Sequence, residues 1–171
     1  MALLPKAVFF FCAAMLAGAS VAAEEEFINS SWQEAAWALP AMPQSNDLLP
    51  FYVSAATSNK FFIDAASLSV SDDGVVRYTL LVLTSGGGRN LGFEGMRCET
   101  RERRLYASGR SDGSWSKSRN DQWSRIQDVA ANRHYAALSL GYFCPGGVIA
   151  RNKEEIVDAL KRDAAFVGRS Q

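Results

Sequence analysis

The sequence predicts an α+β fold in a single domain. Short β-branched and aromatic runs in the middle of the chain alternate with Gly- and Asp-rich breaks, the pattern of hairpin-connected strands. The last forty residues carry two helical patterns of apolar spacing. The length, 171 residues, is that of one domain. Hydrophobic residues make up 48% and charged residues 21%, which sets aside global disorder, collagen and a coiled coil. Eighteen basic and 18 acidic side chains leave no formal net charge, so a chain-wide basic surface for nucleic acid is not expected.

Residues 1–23 read as a secretory signal peptide. Lys6 precedes an unbroken apolar run of 11 residues (7–17), shorter than the roughly 20 a bilayer-spanning helix needs. Val21, Ala22 and Ala23 are small, and Glu24, Glu25 and Glu26 follow, so cleavage is expected after Ala23. Cys12 lies inside the apolar run and not at the cleavage point, which disfavours a lipoprotein. The expected location is the periplasm, with the outer surface or secretion as alternatives. The mature chain, 24–171, keeps 148 residues with 17 bases and 18 acids. No second long apolar run follows, so a soluble or peripherally membrane-associated product is expected.

Two cysteines remain, Cys98 and Cys144. Export makes a disulfide their default use. A rival metal site with His134 offers three ligands at unsuited spacing. A Cys144 nucleophile with His134 as base needs a free thiol, which exported pairs usually lack. Neither a metal nor a cofactor is expected.

Residues 24–50 read as an extended arm. Ser31 and Glu34 have capping-box spacing, which predicts a short helix over 32–38. Pro40, Pro43 and Pro50 break anything longer. Trp32 and Trp37 are expected to anchor the arm on the body.

The body, 51–171, opens with strands. Residues 60–63 (KFFI) form a short apolar run, and Asp64 is placed to accept backbone N–H groups in the turn that follows. Residues 71–74 (SDDG) are a strong turn signal. Residues 75–84 (VVRYTLLVLT) are nearly continuous, as in a central strand covered on both faces. The triple glycine 86–88 lacks the Lys-Ser/Thr end of a phosphate loop and reads as a hairpin tip. Residues 90–98 form another strand, with Met96 and Cys98 on one face and Leu91 and Phe93 on the other. Residues 99–103 read as a charged turn, its arginines paired with Glu99 and Glu102, and 104–109 as the return strand.

Residues 110–125 are the candidate recognition loop, with Trp115, Arg119, Trp123 and Arg125 as candidate binding residues. The structural alternative is that Trp115 and Trp123 cap an open end of the core. A helix capped by Asn132 is predicted through Gly141, with Tyr135, Leu138 and Tyr142 at helical spacing. The final helix is capped by Asn152, with Ile156, Val157, Leu160 and Ala164 as its apolar stripe and an Asp158–Arg162 pair on its surface. Charge is unevenly spread. Residues 24–73 hold eight acids and one base, while 74–133 hold eleven bases and six acids. The two regions are candidates to pack against each other.

Five segments together resemble the CNP1-like family of exported bacterial proteins: FFIDAAS (61–67), DGVVRY (73–78), EGMRC (94–98), RLYA (104–107) and FCPGG (143–147). The resemblance spans about residues 32–165 and carries no activity over. A weaker resemblance is to adhesin-E-like surface proteins, through 63–67, Gly74, Glu94 with Cys98, Trp123 and 135–144. It implies an antiparallel sheet of about four to six strands with a stapled helix, to which the C-terminal amphipathic helix adds.

The expected function is an exported, non-catalytic binding module for an envelope protein or glycan. The sequence has no nucleophile elbow, no His-Glu-x-x-His and no dinucleotide glycine pattern. The alternative is an envelope enzyme acting on glycans or peptidoglycan through an Asp64–Glu94 carboxylate pair.

Overall fold

The computed structural model describes residues 32–127 and 129–167. The predicted leader and residues 24–31 of the arm lie outside them. Contacts divide the chain into Met1–Gln33 and Glu34–Gln171, and everything below concerns the second unit.

Seven strands form one antiparallel sheet: β1 (Leu48–Phe51), β2 (Lys60–Val70), β3 (Val75–Leu83), β4 (Arg89–Arg97), β5 (Glu102–Gly109), β6 (Trp115–Lys117) and β7 (Ser124–Arg125). They lie in chain order from β1 to β6, and β7 also pairs with β5. The expected α+β architecture is present. The strand count exceeds the expected four to six because the extra strands are short edge pieces. β1 carries Pro50, which an edge strand tolerates, and β7 has two residues. The boundary expected at residue 50 falls inside β1.

β3 is buried from Val75 to Leu81, as its continuous apolar run requires. The turn before it has Gly74 at φ 77°, a conformation that favours glycine. β2 is one element across the expected turn at 64–67. Its register against β3 shifts between Asp64 and Ser69. Within that bulge Asp64 accepts from the Ala66 and Ser67 N–H groups at 3.2 and 3.1 Å, the expected turn role inside a strand. A second bulge, between Phe93 and Glu94, leaves Tyr106 of β5 unpaired with β4.

Two helices follow. α1 (Arg133–Leu138) continues as a π-helical turn, Ser139–Phe143. The α-helical part therefore ends before the predicted Gly141 while the helical run goes on to Phe143, and the Asn132 side chain makes no capping bond. The wider turn lets Tyr142, Phe143 and Cys144 all bury against the sheet. α2 (Lys153–Val167) is capped as predicted: the Glu155 N–H donates to Asn152 Oδ1 at 2.9 Å, and Glu155 accepts from the Arg151 N–H at 2.9 Å. Ile156 and Leu160 are fully buried. The surface pair that forms is Arg151–Glu155 (3.1 Å) and not the expected Asp158–Arg162.

The two faces of the sheet are covered differently. One, the helix face, packs Ile63, Leu68, Val76, Tyr78, Leu80 and Met96 against both helices. The Cys98–Cys144 disulfide, Cα–Cα 5.5 Å, ties β4 to the end of the π turn on this face. Leu91 and Phe93 point the other way, as their spacing predicts. The opposite face is covered by residues 34–43, a strap without regular secondary structure. The helix expected over 32–38 does not form. The Ala35 N–H donates to Asp73 at 2.8 Å and its carbonyl accepts from Arg77 at 3.3 Å, so the sheet takes the backbone groups a helix would have used.

Candidate functional site

The strap face gathers the sequence-predicted tryptophans. Trp115, in β6, lies 6.3 Å from the Phe93 ring and donates its indole N–H to the Pro40 carbonyl at 2.8 Å. Trp123 sits edge-on to Tyr106 at 6.5 Å and donates to Glu34 at 3.2 Å. Tyr106 and Phe93, 5.2 Å apart, link the two. Both indoles thus serve the strap. The two candidate arginines differ from them in exposure. Arg119 and Arg125 are solvent-exposed, and Arg125 of β7 stands opposite Glu102 of β5.

Glu34 is the residue that sequence reasoning missed. Its capping-box spacing suggested a local role, yet its partners are 43 to 89 positions away. Arg77 and Tyr106 donate to Oε1 at 3.1 and 2.5 Å. Arg104 and Trp123 donate to Oε2 at 2.5 and 3.2 Å. Four donors therefore fill both carboxylate oxygens, two of them from guanidinium groups that make charge-assisted bonds. Asp73 completes the cluster with a 2.6 Å bond from Arg77. The side chains of Arg77 and Asp73 are only 5% and 4% exposed, so this ion pair is nearly dry. Burial alone would raise the Asp73 carboxyl, but its bonds from Arg77 and the Ala35 and Val75 N–H groups outweigh that and hold it below its ordinary value. Burial and the bond to Glu34 push the Tyr106 phenol far up. The acid-rich arm beside a basic centre was the available signal, and Glu34 and Asp73 with Arg77 and Arg104 are where those regions meet.

Tyr106 reaches Glu34 because β4 has glycine beneath it. A Cβ on Gly95 would stand 2.2 Å from the Tyr106 hydroxyl. The bulge that frees Tyr106 and the glycine that makes room for it lie side by side in the EGMRC motif and its partner strand.

The charged turn pairs differently from expectation. Arg97 takes Glu99 and Glu102 at 3.7 and 3.5 Å. Arg104 crosses to Glu34 and Asp121, and Arg103 lies over the Tyr135 ring at 4.2 Å. The alternation of strand faces sends Arg103 and Arg104 to opposite sides of the sheet, which a turn reading could not anticipate.

The helix face buries a second glutamate. Glu94 accepts from the hydroxyls of Tyr78 and Tyr135, each at 3.1 Å. Burial raises its carboxyl above the ordinary value against the opposing pull of Arg103 and the two hydroxyls. Asp64 is not its partner. Asp64 pairs with Thr79 and Glu94 with Tyr78, neighbours on β3, so the two carboxylates lie on opposite faces of the sheet. No substrate bond can sit between them. His134 stacks on Phe61 at 5.3 Å, and burial, helped by nearby Arg103, lowers it to about 4, so the ring is neutral at neutral pH. It is not the base of a Cys144 nucleophile, because that sulfur is in the disulfide.

At one end of the helix face the loop 52–59 roofs an apolar cavity of about 510 Å³, lined by Phe51, Phe61, Phe62 and Ala164. A smaller recess of about 250 Å³ beyond Phe61 reaches Val82 and His134. Ser54 lines both, its buried hydroxyl unpartnered among the described residues.

Among the described residues no helix is long and apolar enough to cross a membrane. No curated protein and no solved structure matches the chain, so the likeness to adhesin-E-like proteins remains one of motif order. The sequence model of the CNP1-like family matches residues 28–161, which take in the strap, the whole sheet, both glutamate clusters and the disulfide. The chain belongs to the CNP1-like family.

Proposed function

We infer that the protein is exported to the periplasm and works there by holding an envelope protein or glycan, not by catalysis. The observation that carries this reading is the division of the recognition loop: Trp115 and Trp123 fix it against the body, while Arg119 and Arg125 stay in solvent. A rigid aromatic base presenting basic side chains suits an acidic or hydroxyl-rich partner. The disulfide supports export, since such bonds persist in oxidising compartments. The leader-like residues 1–23 supply the route.

The test is a photoreactive side chain at position 119, irradiated in intact cells. A single dominant envelope partner is expected, and its capture should fade near 1 M salt, where the Debye length is about 3 Å. Labelling spread evenly over abundant proteins would count against a binding role for this loop.

A further inference from the structure

The strap meets the sheet as a ligand meets a receptor. Its contacts recur at every third position: Glu34 in the four-donor cage, Trp37 against Tyr106 and Phe93 at 4.4 and 6.0 Å, and Pro40 through its carbonyl to Trp115. Ala35, Ala36, Ala38 and Leu39 between them are exposed. A three-residue period is that of a polyproline-type segment on an aromatic groove. Among the described residues no strand or helix pairing holds the strap. Its backbone is held at Ala35 and Pro40 by side chains of the body. Every donor to Glu34 comes from β3, β5 or the segment before β7. Both guanidinium groups keep a buried Nε without a partner among the described residues. Among the described residues, the carboxylates paired with Arg77 and Arg104 are Glu34, Asp73 and Asp121.

We propose that the strap face is a peptide-binding groove for an extended segment of a partner protein that presents a carboxylate, an aromatic ring three residues on and an accepting backbone carbonyl three further, a groove that the chain's own residues 34–43 occupy in cis. This deepens the binding-module reading and rests on it. Arg119 and Arg125, exposed in the same segment as Trp115 and Trp123, add steering charge, and the cage with its aromatic floor is the specific site. Because the strap is covalently tethered, it competes at high effective concentration. A partner therefore gains entry only by supplying contacts beyond those of the strap.

The experiment uses the full chain with a protease site inserted between Ser45 and Asn46, in an exposed turn. After cleavage, a fluorescent, N-acetylated peptide of residues 34–43 is titrated in. Saturable exchange at one peptide per chain is expected. Peptides carrying Glu34→Gln or Trp37→Ala should bind about tenfold more weakly or worse, the loss of a charge-assisted bond or an aromatic anchor. Cut protein that unfolds or never releases its strap would show the segment to be inseparable core and overturn the proposal. Equal binding of the Glu34→Gln peptide would remove the cage as the selecting element and overturn it too. Exchange of straps between differently labelled intact copies, with dimers in sedimentation, would reassign the groove to a second copy. None of these results depends on crosslinking at position 119, so the binding role of the loop stands or falls separately.

Discussion

Each face of the sheet buries a glutamate, and the two are treated in opposite ways. Glu34 on the strap face is met by two guanidinium groups, a phenol and an indole. Glu94 on the helix face is met by two phenols, with its nearest cation, Arg103, set back over the Tyr135 ring. The carboxyl beside Arg77, Asp73, is held below its ordinary value, whereas burial wins at Glu94 and raises it. The lesson from Asp73 and Glu94 is that burial pushes an acid toward its neutral form unless charged donors outweigh it, as Arg77 and the backbone N–H groups do at Asp73 and two phenols do not at Glu94. The helix face can tolerate the weaker arrangement because a covalent bond and two helices hold it. The strap has no such staple and depends on its ion cluster.

That contrast predicts a ranking. Reducing the Cys98–Cys144 bridge, which closes 46 residues, should cost the most, about 4 kcal/mol in the loop-entropy model. Urea unfolding with and without reductant measures it. A loss near zero would mean that the helices hold the face alone.

Glu34→Ala should follow at about 3 kcal/mol, because it removes the shared acceptor of four donors, although Arg77 retains Asp73 and Arg104 retains Asp121. Its signature would be strap-specific, with tryptophan fluorescence changing and proteolysis appearing first in residues 34–43. Glu94→Gln should cost less, about 1 kcal/mol, since tyrosine hydroxyls can donate to or accept from an amide. A reversed order would invert the comparison.

Gly95→Ala should cost about 2 kcal/mol by overpacking against Tyr106. Tyr106→Phe in the same background should recover part of that loss, because the hydroxyl is the closest of the clashing atoms and the ring carbons remain. If it recovers none, the cost lies in the ring carbons or the β4 backbone and not in the hydroxyl.

The pH response should divide by face. Asp73, lowered in the folded state, contributes stability above its ordinary value that is lost as the pH falls through its depressed one. Glu94, raised in the folded state, contributes stability below its ordinary value that is lost as the pH climbs to its raised one. Asp73→Asn should flatten the acid limb of a stability-against-pH curve, and Glu94→Gln the limb above the usual carboxylate range. Chemical unfolding at stepped pH separates them, and the contrast fails if either substitution flattens both limbs.

The smallest effect on folding belongs to Arg119→Glu with Arg125→Glu, within about 0.5 kcal/mol, as for exposed side chains. Loss of partner capture at unchanged stability would locate recognition outside the strap's own contacts. Trp115→Phe would not make that distinction, because its indole also holds Pro40.

Where a signal was local, it was legible. Asn152 and Glu155 marked the start of α2. The continuous run at 75–84 marked β3, and the Asp-Gly turn before it marked a positive φ. The face alternation of Leu91, Phe93, Met96 and Cys98 came out as written. The failures share one cause, which is that a distant partner outbid a nearby one. Glu34 left its capping box for Arg77 and Arg104. Pro50, a breaker in isolation, is accepted on the edge strand β1. The helix after Arg133 widens because three consecutive residues must reach the sheet.

Chain order and side-chain type by themselves determined the hairpin-built sheet, the closing helix and the pairing of two cysteines, because each follows from spacing, turn chemistry or a count. Only the folded molecule decided which face each carboxylate would occupy and what would surround it. Strand register is a property of two segments at once, and a shift of one residue exchanges every side chain between the two faces.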